Sequence, residues 1–466
     1  MNWLDELSSS YYTKGTFKHA SPKRIVLFPY TTSAVSQKLL EELSGFYSIA
    51  GAAVCDLAGV TCSEECTSES VIEKIKSRID TDHFNDLQHI VRTILYDEDD
   101  QLYCFHPIIF HYLAGQSTDK RVKAFGQFVR DVFFVDNKGL GPCLDYDKKS
   151  VNVLHSLVLQ NLPELTPQPE ANGHKYYQRQ DPVCDLFVKD CEFLTRDASL
   201  YSKNLPELIK FYFLIYQLRL VEDCNSPIGK STREPFFFSV AWEGLSKGRQ
   251  AYQSGWKRVD RKLFSMWAHA NCLEMLNYLP VEGVKRPFAY EELHQWLKNA
   301  SLTEKQQILS SIDALIEFYR EGVSSLGFNW SRFEEDGNHA IEIEDKVRQF
   351  YKMVEFQFLH SPRKGAAERY SKWLREFATK NFLKKRGPLG NTLCFSRKQL
   401  LFITRVCIGG RNEGKLRVTD LWVEFEKRGV CFDSDTKKHI LDLYNKLNLI
   451  ERKSDSGDAQ YVRAIF

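Results

Sequence analysis

The chain has 466 residues, of which 43% are hydrophobic, 13% aromatic and 27% charged. Its 63 Lys and Arg stand against 61 Asp and Glu, a net charge of +2. This balance excludes a disordered polyelectrolyte and a globally basic nucleic-acid binder, so any affinity for phosphate must be local. The length allows roughly three domains, each able to bury a core.

The first residues, Met1-Asn2-Trp3-Leu4-Asp5-Glu6-Leu7, carry neither a basic n-region nor an apolar h-region. No signal peptide is expected, and twelve cysteines without an export signal point to reduced thiols in a cytoplasmic protein. Residues 24–30 (Arg-Ile-Val-Leu-Phe-Pro-Tyr) read as a short edge strand. Helical apolar spacing then covers residues 71–95, 151–162 and 205–221. The apolar run 208–221 is the best membrane candidate, but it is too short to span a bilayer and contains Lys210, Gln217 and Arg219, so it predicts a buried or half-buried helix and no membrane partner.

Pro163, Pro167, Pro169 and Gly173 mark a linker over 163–174, with further breaks at 225–235 and 280–287. From Ser301 onward the pattern is strongly helical. Ile343, Val347, Phe350, Tyr351, Val354 and Phe358 make one apolar face, and a helix over 366–386 puts Tyr370, Trp373, Leu374 and Phe377 on one side before Gly387-Pro388.

The last seventy residues are the most legible. Ser396 caps a helix with Leu400, Leu401, Ile403 and Cys407 that stops at Gly409-Gly410, and a short extended piece, 415–417, follows. Thr419 is expected to cap a second helix with Leu421, Trp422 and Phe425, closed by Gly429, with Val418 and Val423 as a hydrophobic staple. Asp433 or Ser434 opens a third helix with Ile440, Leu443, Tyr444 and Leu447 inward. Strands over 449–453 and 459–465 close the chain around a polar turn. Helix, strand, helix, helix, hairpin is the winged variant of the helix-turn-helix. The expected fold class is mainly α: a multi-domain helical body, with domains over 1–162 and 175–386, followed by a C-terminal winged-helix domain over 391–466.

The strongest functional signal outside that region is a basic segment. Arg363, Lys364, Arg369, Lys372, Arg375, Lys380, Lys384, Lys385, Arg386, Arg397, Lys398 and Arg405 face only Glu368 and Glu376, a local charge of +10. Cations along an amphipathic helix suit duplex DNA, because each neutralised phosphate releases condensed counterions; the bland alternative is a solvated helix face or a surface for an acidic partner. The third helix of the winged region is a poorer base reader. Its outward face shows Asp435, Lys438, Asp442 and Asn445, and over 433–448 three aspartates cancel three lysines. Lys437 and Lys438, with Arg452 and Lys453 on the wing, complete the DNA-contact candidates.

Other motifs read as structural. Residues 224–232 look like the back half of a phosphate-binding loop, but Cys224 stands where the curled backbone needs glycine. Cys55, Cys62, Cys66, Cys104 and His106 lack the spacing of a zinc ribbon or an iron–sulfur run. Neither a nucleophile elbow nor a magnesium-holding acidic cluster stands out, so no metal, cofactor or catalytic residue is expected. Phe236-Phe237-Phe238, Trp242, Tyr252, Trp256 and Trp267 are interleaved with Lys247, Arg249, Lys257, Arg258, Arg261 and Lys262. Core packing of these aromatics is the favoured reading, and stacking on unpaired bases the alternative.

The C-terminal run 441–462 (Leu-Asp-Leu-Tyr-Asn-Lys-Leu-Asn-Leu-Ile-Glu-Arg-Lys-Ser-Asp-Ser-Gly-Asp-Ala-Gln-Tyr-Val), together with the length and the mostly helical body, resembles the DptG (DndG) family, accessory proteins of DNA phosphorothioation-dependent restriction. The resemblance implies a non-enzymatic subunit working beside a P-loop ATPase-like and a helicase-like partner against incoming DNA that lacks the host's sulfur-modified backbone. It brings no catalytic residues. The competing expectation is a winged-helix transcription regulator with a sensor region before about residue 360.

Overall fold

A helix of 27 residues, Ala198–Cys224, runs through the middle of the protein. The computed structural model describes residues 2–64, 66–79, 82–98, 100–117, 119–134, 152–168, 173–226, 228, 233–334, 342–409, 414–452 and 460–464. Every residue of this central helix from Leu208 to Val221 is buried, which is why its sequence is apolar on all sides. Its few polar groups have specific partners: Lys210 donates to Ser44 O and Glu207 at 2.9 Å each, Gln217 accepts from Tyr30, and Arg219 pairs with Asp181 at 2.6 Å. Among the described residues no helix is long and apolar enough to cross a membrane.

The architecture is mainly helical, with few and short strands. On the N-terminal side, Tyr47–Ala58 packs against Phe110–Gln116 and Lys120–Phe133. Small residues permit the approach: a Cβ added at Gly126 would stand 2.5 Å from the Cβ of Ala52. Further along, Leu302–Ser324 (capped by Ser301), Ile343–Leu359 and Lys364–Asn381 form the helical layer expected after residue 300. One connected core runs from Leu7 to Val462.

Residues 24–30 do not form the expected edge strand. At the start of the stretch the backbone is engaged by a side chain instead: Glu274 accepts the N–H groups of Lys23, Arg24 and Ile25 at 3.0, 2.8 and 3.1 Å, and among the described residues the stretch makes one bridge, between Val26 and Tyr176. Tyr30 then stacks on Trp373, centroids 5.7 Å apart, and the indole N–H of Trp373 donates to Thr31 O at 2.8 Å.

The basic helix ends at Asn381, five residues earlier than its charge pattern suggests. Leu383–Lys385 instead turns back as a strand antiparallel to Asn391–Phe395, which also pairs in parallel with Ser239–Val240. Backbone groups of 383–385 thus find sheet partners, and the turn rests on Gly387 and Gly390, both at positive φ.

The C-terminal segment follows the expected order of elements. Arg397–Ile408, opened by a Ser396–Gln399 capping box, leads through Lys415–Arg417 to Val418–Lys427, Ser434–Lys446 and the strands Ile450–Arg452 and Gln460–Arg463. The last strand lies between the other two, antiparallel to both. Thr419 is not a cap: the strand runs straight into the helix, Arg417 holds the cap position, and Val418 is the first helical residue. Val418 and Val423 therefore cannot form a staple, and Val423 is exposed. The segment is also stitched to the body, since Val430–Cys431 pairs in parallel with Phe236–Phe237.

Candidate nucleic-acid interface

The fold divides the basic segment into cations used internally and cations left free. Lys384 donates to Ala241 O, and Arg386 donates to Glu243 O, to Val240 O at 2.8 Å and to Ser239 Oγ at 3.3 Å. Both therefore bind the 239–243 turn, roughly 145 residues away in sequence. Arg375 pairs with Asp260 at 3.1 Å, Lys364 lies 4.0 Å from Glu368, and Arg369 donates to Thr32 O. Arg363 is half-buried, and burial pulls its pKa below the ordinary arginine value. The charge of these groups is unchanged, but fewer of the twelve cations are available to phosphate than the local +10 suggests.

Three candidates, Lys380, Arg397 and Lys398, lie at one junction. Lys380 precedes Asn381, whose carbonyl accepts from the Gln399 side chain at 2.8 Å, so the end of the basic helix meets the start of the Arg397–Ile408 helix. Arg397 and Lys398 occupy that start, and Lys385 lies on the adjoining hairpin in register with Asn391. Lys380, Lys385, Arg397 and Lys398 are all exposed. Lys372 is exposed farther along the basic helix, beside Glu376 in a small pocket with Ser33 and Leu40.

The remaining candidates lie apart from this junction. Lys437 sits over the Trp422 ring at 5.5 Å, and Lys438 is 3.6 Å from Asp435. Arg452 is exposed on its strand, and Lys453 lies outside the described residues. The third C-terminal helix does present Asp435, Lys438, Asp442 and Asn445 to solvent. Its first turn, however, is held by the body: Arg249 binds Asp433 and donates to Thr436 at 2.8 Å, while Thr436 donates to buried Glu243 at 2.9 Å. That turn is the part a helix-turn-helix places against base edges.

Sequence reasoning missed the 239–249 turn as an organiser of this surface. Of the interleaved aromatics, Phe236, Phe238, Trp256 and Trp267 are core residues, as the favoured reading had it. Trp242 is only half-buried, with the Arg397 guanidinium 5.5 Å from its ring centroid. The available signal was a tryptophan in a turn-forming stretch, Trp242-Glu243-Gly244.

A cleft of about 1740 Å³ opens elsewhere, between residues 174–192 and 283–299. Among its lining groups, Arg179 reaches Asp181 at 3.0 Å and Asp223 at 2.6 Å, and the Tyr177 hydroxyl lies 2.7 and 2.9 Å from the two oxygens of Glu292. Cys55 and Cys66 are held as neutral thiols, burial pushing each up to about 12. Residues 229–232 of the phosphate-loop-like run lie outside the described residues, while Cys224 is buried at the end of the central helix.

Compared with known proteins, the chain matches no family model and no curated protein.

Proposed function

We propose that this chain is a non-catalytic, cytoplasmic DNA-binding adaptor of a phosphorothioation-dependent restriction complex, acting on unmodified DNA beside P-loop ATPase-like and helicase-like subunits. The likeness to the DptG family supports the complex. The order and strand pairing of the C-terminal elements support a winged-helix reading, since the strand after the first helix pairs with the second strand of the closing hairpin.

The observation that carries DNA binding is the junction of Lys380, Arg397 and Lys398, exposed cations where the basic helix meets the next one, with exposed Lys385 on the adjoining hairpin. They grip phosphates without reading bases. The occupied first turn of the third helix and its two outward aspartates disfavour the sequence-selective regulator.

Fluorescence anisotropy of the full chain with two unrelated duplexes tests this reading. Four phosphate contacts predict a loss of about a hundredfold in affinity between roughly 50 and 200 mM salt, equal for both sequences. Selectivity for one duplex favours the regulator. Absence of binding at low salt turns the surface into a protein-docking face.

A further inference from the structure

Trp242 is a half-buried indole on a turn that other stretches of the chain hold in place. Val240 N–H donates to Glu243 Oε1 at 2.6 Å and Ala241 N–H to Phe395 O at 2.9 Å. From the opposite side, Lys384 takes Ala241 O, and Arg386 takes Val240 O and Glu243 O. Glu243 itself is buried and pinned by Arg249 at 2.8 Å. Five residues from three separate stretches of chain thus fix the backbone on both sides of one aromatic side chain.

Trp242 itself is not among the buried core residues. Phe238 and Phe395 already stack 4.6 Å apart beneath the turn, and Trp242 packs only partly against the core. The indole is instead presented, with Arg397 at its ring and Lys398 next along the same helix. An indole with a guanidinium over its ring and a lysine next along the same helix matches the chemistry of an unpaired nucleotide: the base stacks on the indole or on the guanidinium plane while the neighbouring phosphates meet Arg397 and Lys398. Pre-ordering the turn removes the entropy cost of arranging it on binding.

We infer that Trp242 is a stacking platform for an unpaired DNA base, with Arg397 and Lys398 holding the adjoining phosphates. The inference rests on the DNA-binding reading and narrows it to DNA with single-stranded character, such as a fork or a tailed end. A paired base offers its edges, and not its face, to a ring lying against the duplex.

The test compares the full chain with a blunt duplex, the same duplex carrying a ten-nucleotide thymidine tail, and the tail alone. The readout is the ratio of tailed to blunt affinity. Wild type is expected to prefer the tailed duplex about tenfold, Trp242→Ala to bring the ratio near one, and Trp242→Phe to keep most of the preference. Unchanged thermal melting of the Phe variant guards against misfolding as the cause. A ratio near one in wild type, or a preference that survives Trp242→Ala, overturns the platform while leaving blunt-duplex binding intact. Tail binding without duplex binding upholds the platform and overturns the duplex grip. No binding to any of the three overturns both.

Discussion

Arg428 in the C-terminal segment and Asp190 in the body form a bidentate ion pair in the interior, Nη2 to Oδ1 at 2.6 Å and Nε to Oδ2 at 2.8 Å. Both side chains are 5% exposed, and Tyr212 on the central helix donates to the same carboxylate at 2.5 Å. Next to the pair, Gly429 adopts φ +83°, and a Cβ there would lie 2.7 Å from Ile215. The end of the Val418–Lys427 helix is therefore packed against the central helix and paired with the body through Asp190.

Breaking that pair strands a buried charge. Asp190→Asn is expected to destabilise the protein by about 3–5 kcal/mol, whereas the double change Asp190→Leu with Arg428→Met recovers most of it. Urea denaturation of the two variants measures this. A loss below about 1 kcal/mol for Asp190→Asn refutes the docking role.

Free and engaged cations should separate experimentally. Changing Lys380, Lys385, Arg397 and Lys398 together to Ala is expected to weaken duplex binding at least about tenfold and to lower the salt slope by about 3 to 4, alike for unrelated sequences. Lys384→Met and Arg386→Met should instead lower the melting temperature and leave that slope intact, because their donors are committed to the carbonyls of 240–243. The reverse pattern, with stability kept and slope lost in the Met variants, contradicts this division.

Two histidines, half-buried His19 and buried His269, predict acid sensitivity. Burial lowers His19 and His269 to about 3; His19 bonds Tyr319 at 2.9 Å, and His269 stacks on Tyr351 with centroids 3.9 Å apart. With the folded value below the unfolded one, the unfolded chain binds more protons between the two. Their contribution is complete above about pH 6.5 and is lost progressively down to about pH 3. At pH 5 each costs about 2 kcal/mol relative to pH 7. Denaturation curves across this range should show the decline, and His269→Phe should flatten it; a variant that keeps the full slope excludes His269 as a source.

Helix packing on the N-terminal side depends on a missing methyl group. Gly126→Ala is expected to cost about 1–3 kcal/mol by forcing Lys120–Phe133 away from Tyr47–Ala58, with Ala52→Gly restoring part of the loss. Calorimetric melting of the single and double variants checks this. Strict additivity of the two changes argues against direct contact.

Local patterning alone announced several of the helices. The mostly apolar run 208–221 announced a buried or half-buried helix, the spacing of Val347, Phe350, Val354 and Phe358 announced a one-sided one, and Ser396 and Asp433 marked helix starts that the structure retains. These features depend on residues three or four positions apart, so a window of sequence contains them. Tertiary structure alone decided where the basic helix stops, why residues 24–30 fail to become a strand, and which of twelve cations remain free. Each of those outcomes turns on a partner far along the chain: Asn391–Phe395 for the hairpin, Glu274 for the 24–30 backbone, and the 239–243 carbonyls for Lys384 and Arg386. A charge run states how many cations are present. Whether they face phosphate or satisfy buried carbonyls is set by contacts that only folding brings within hydrogen-bonding distance.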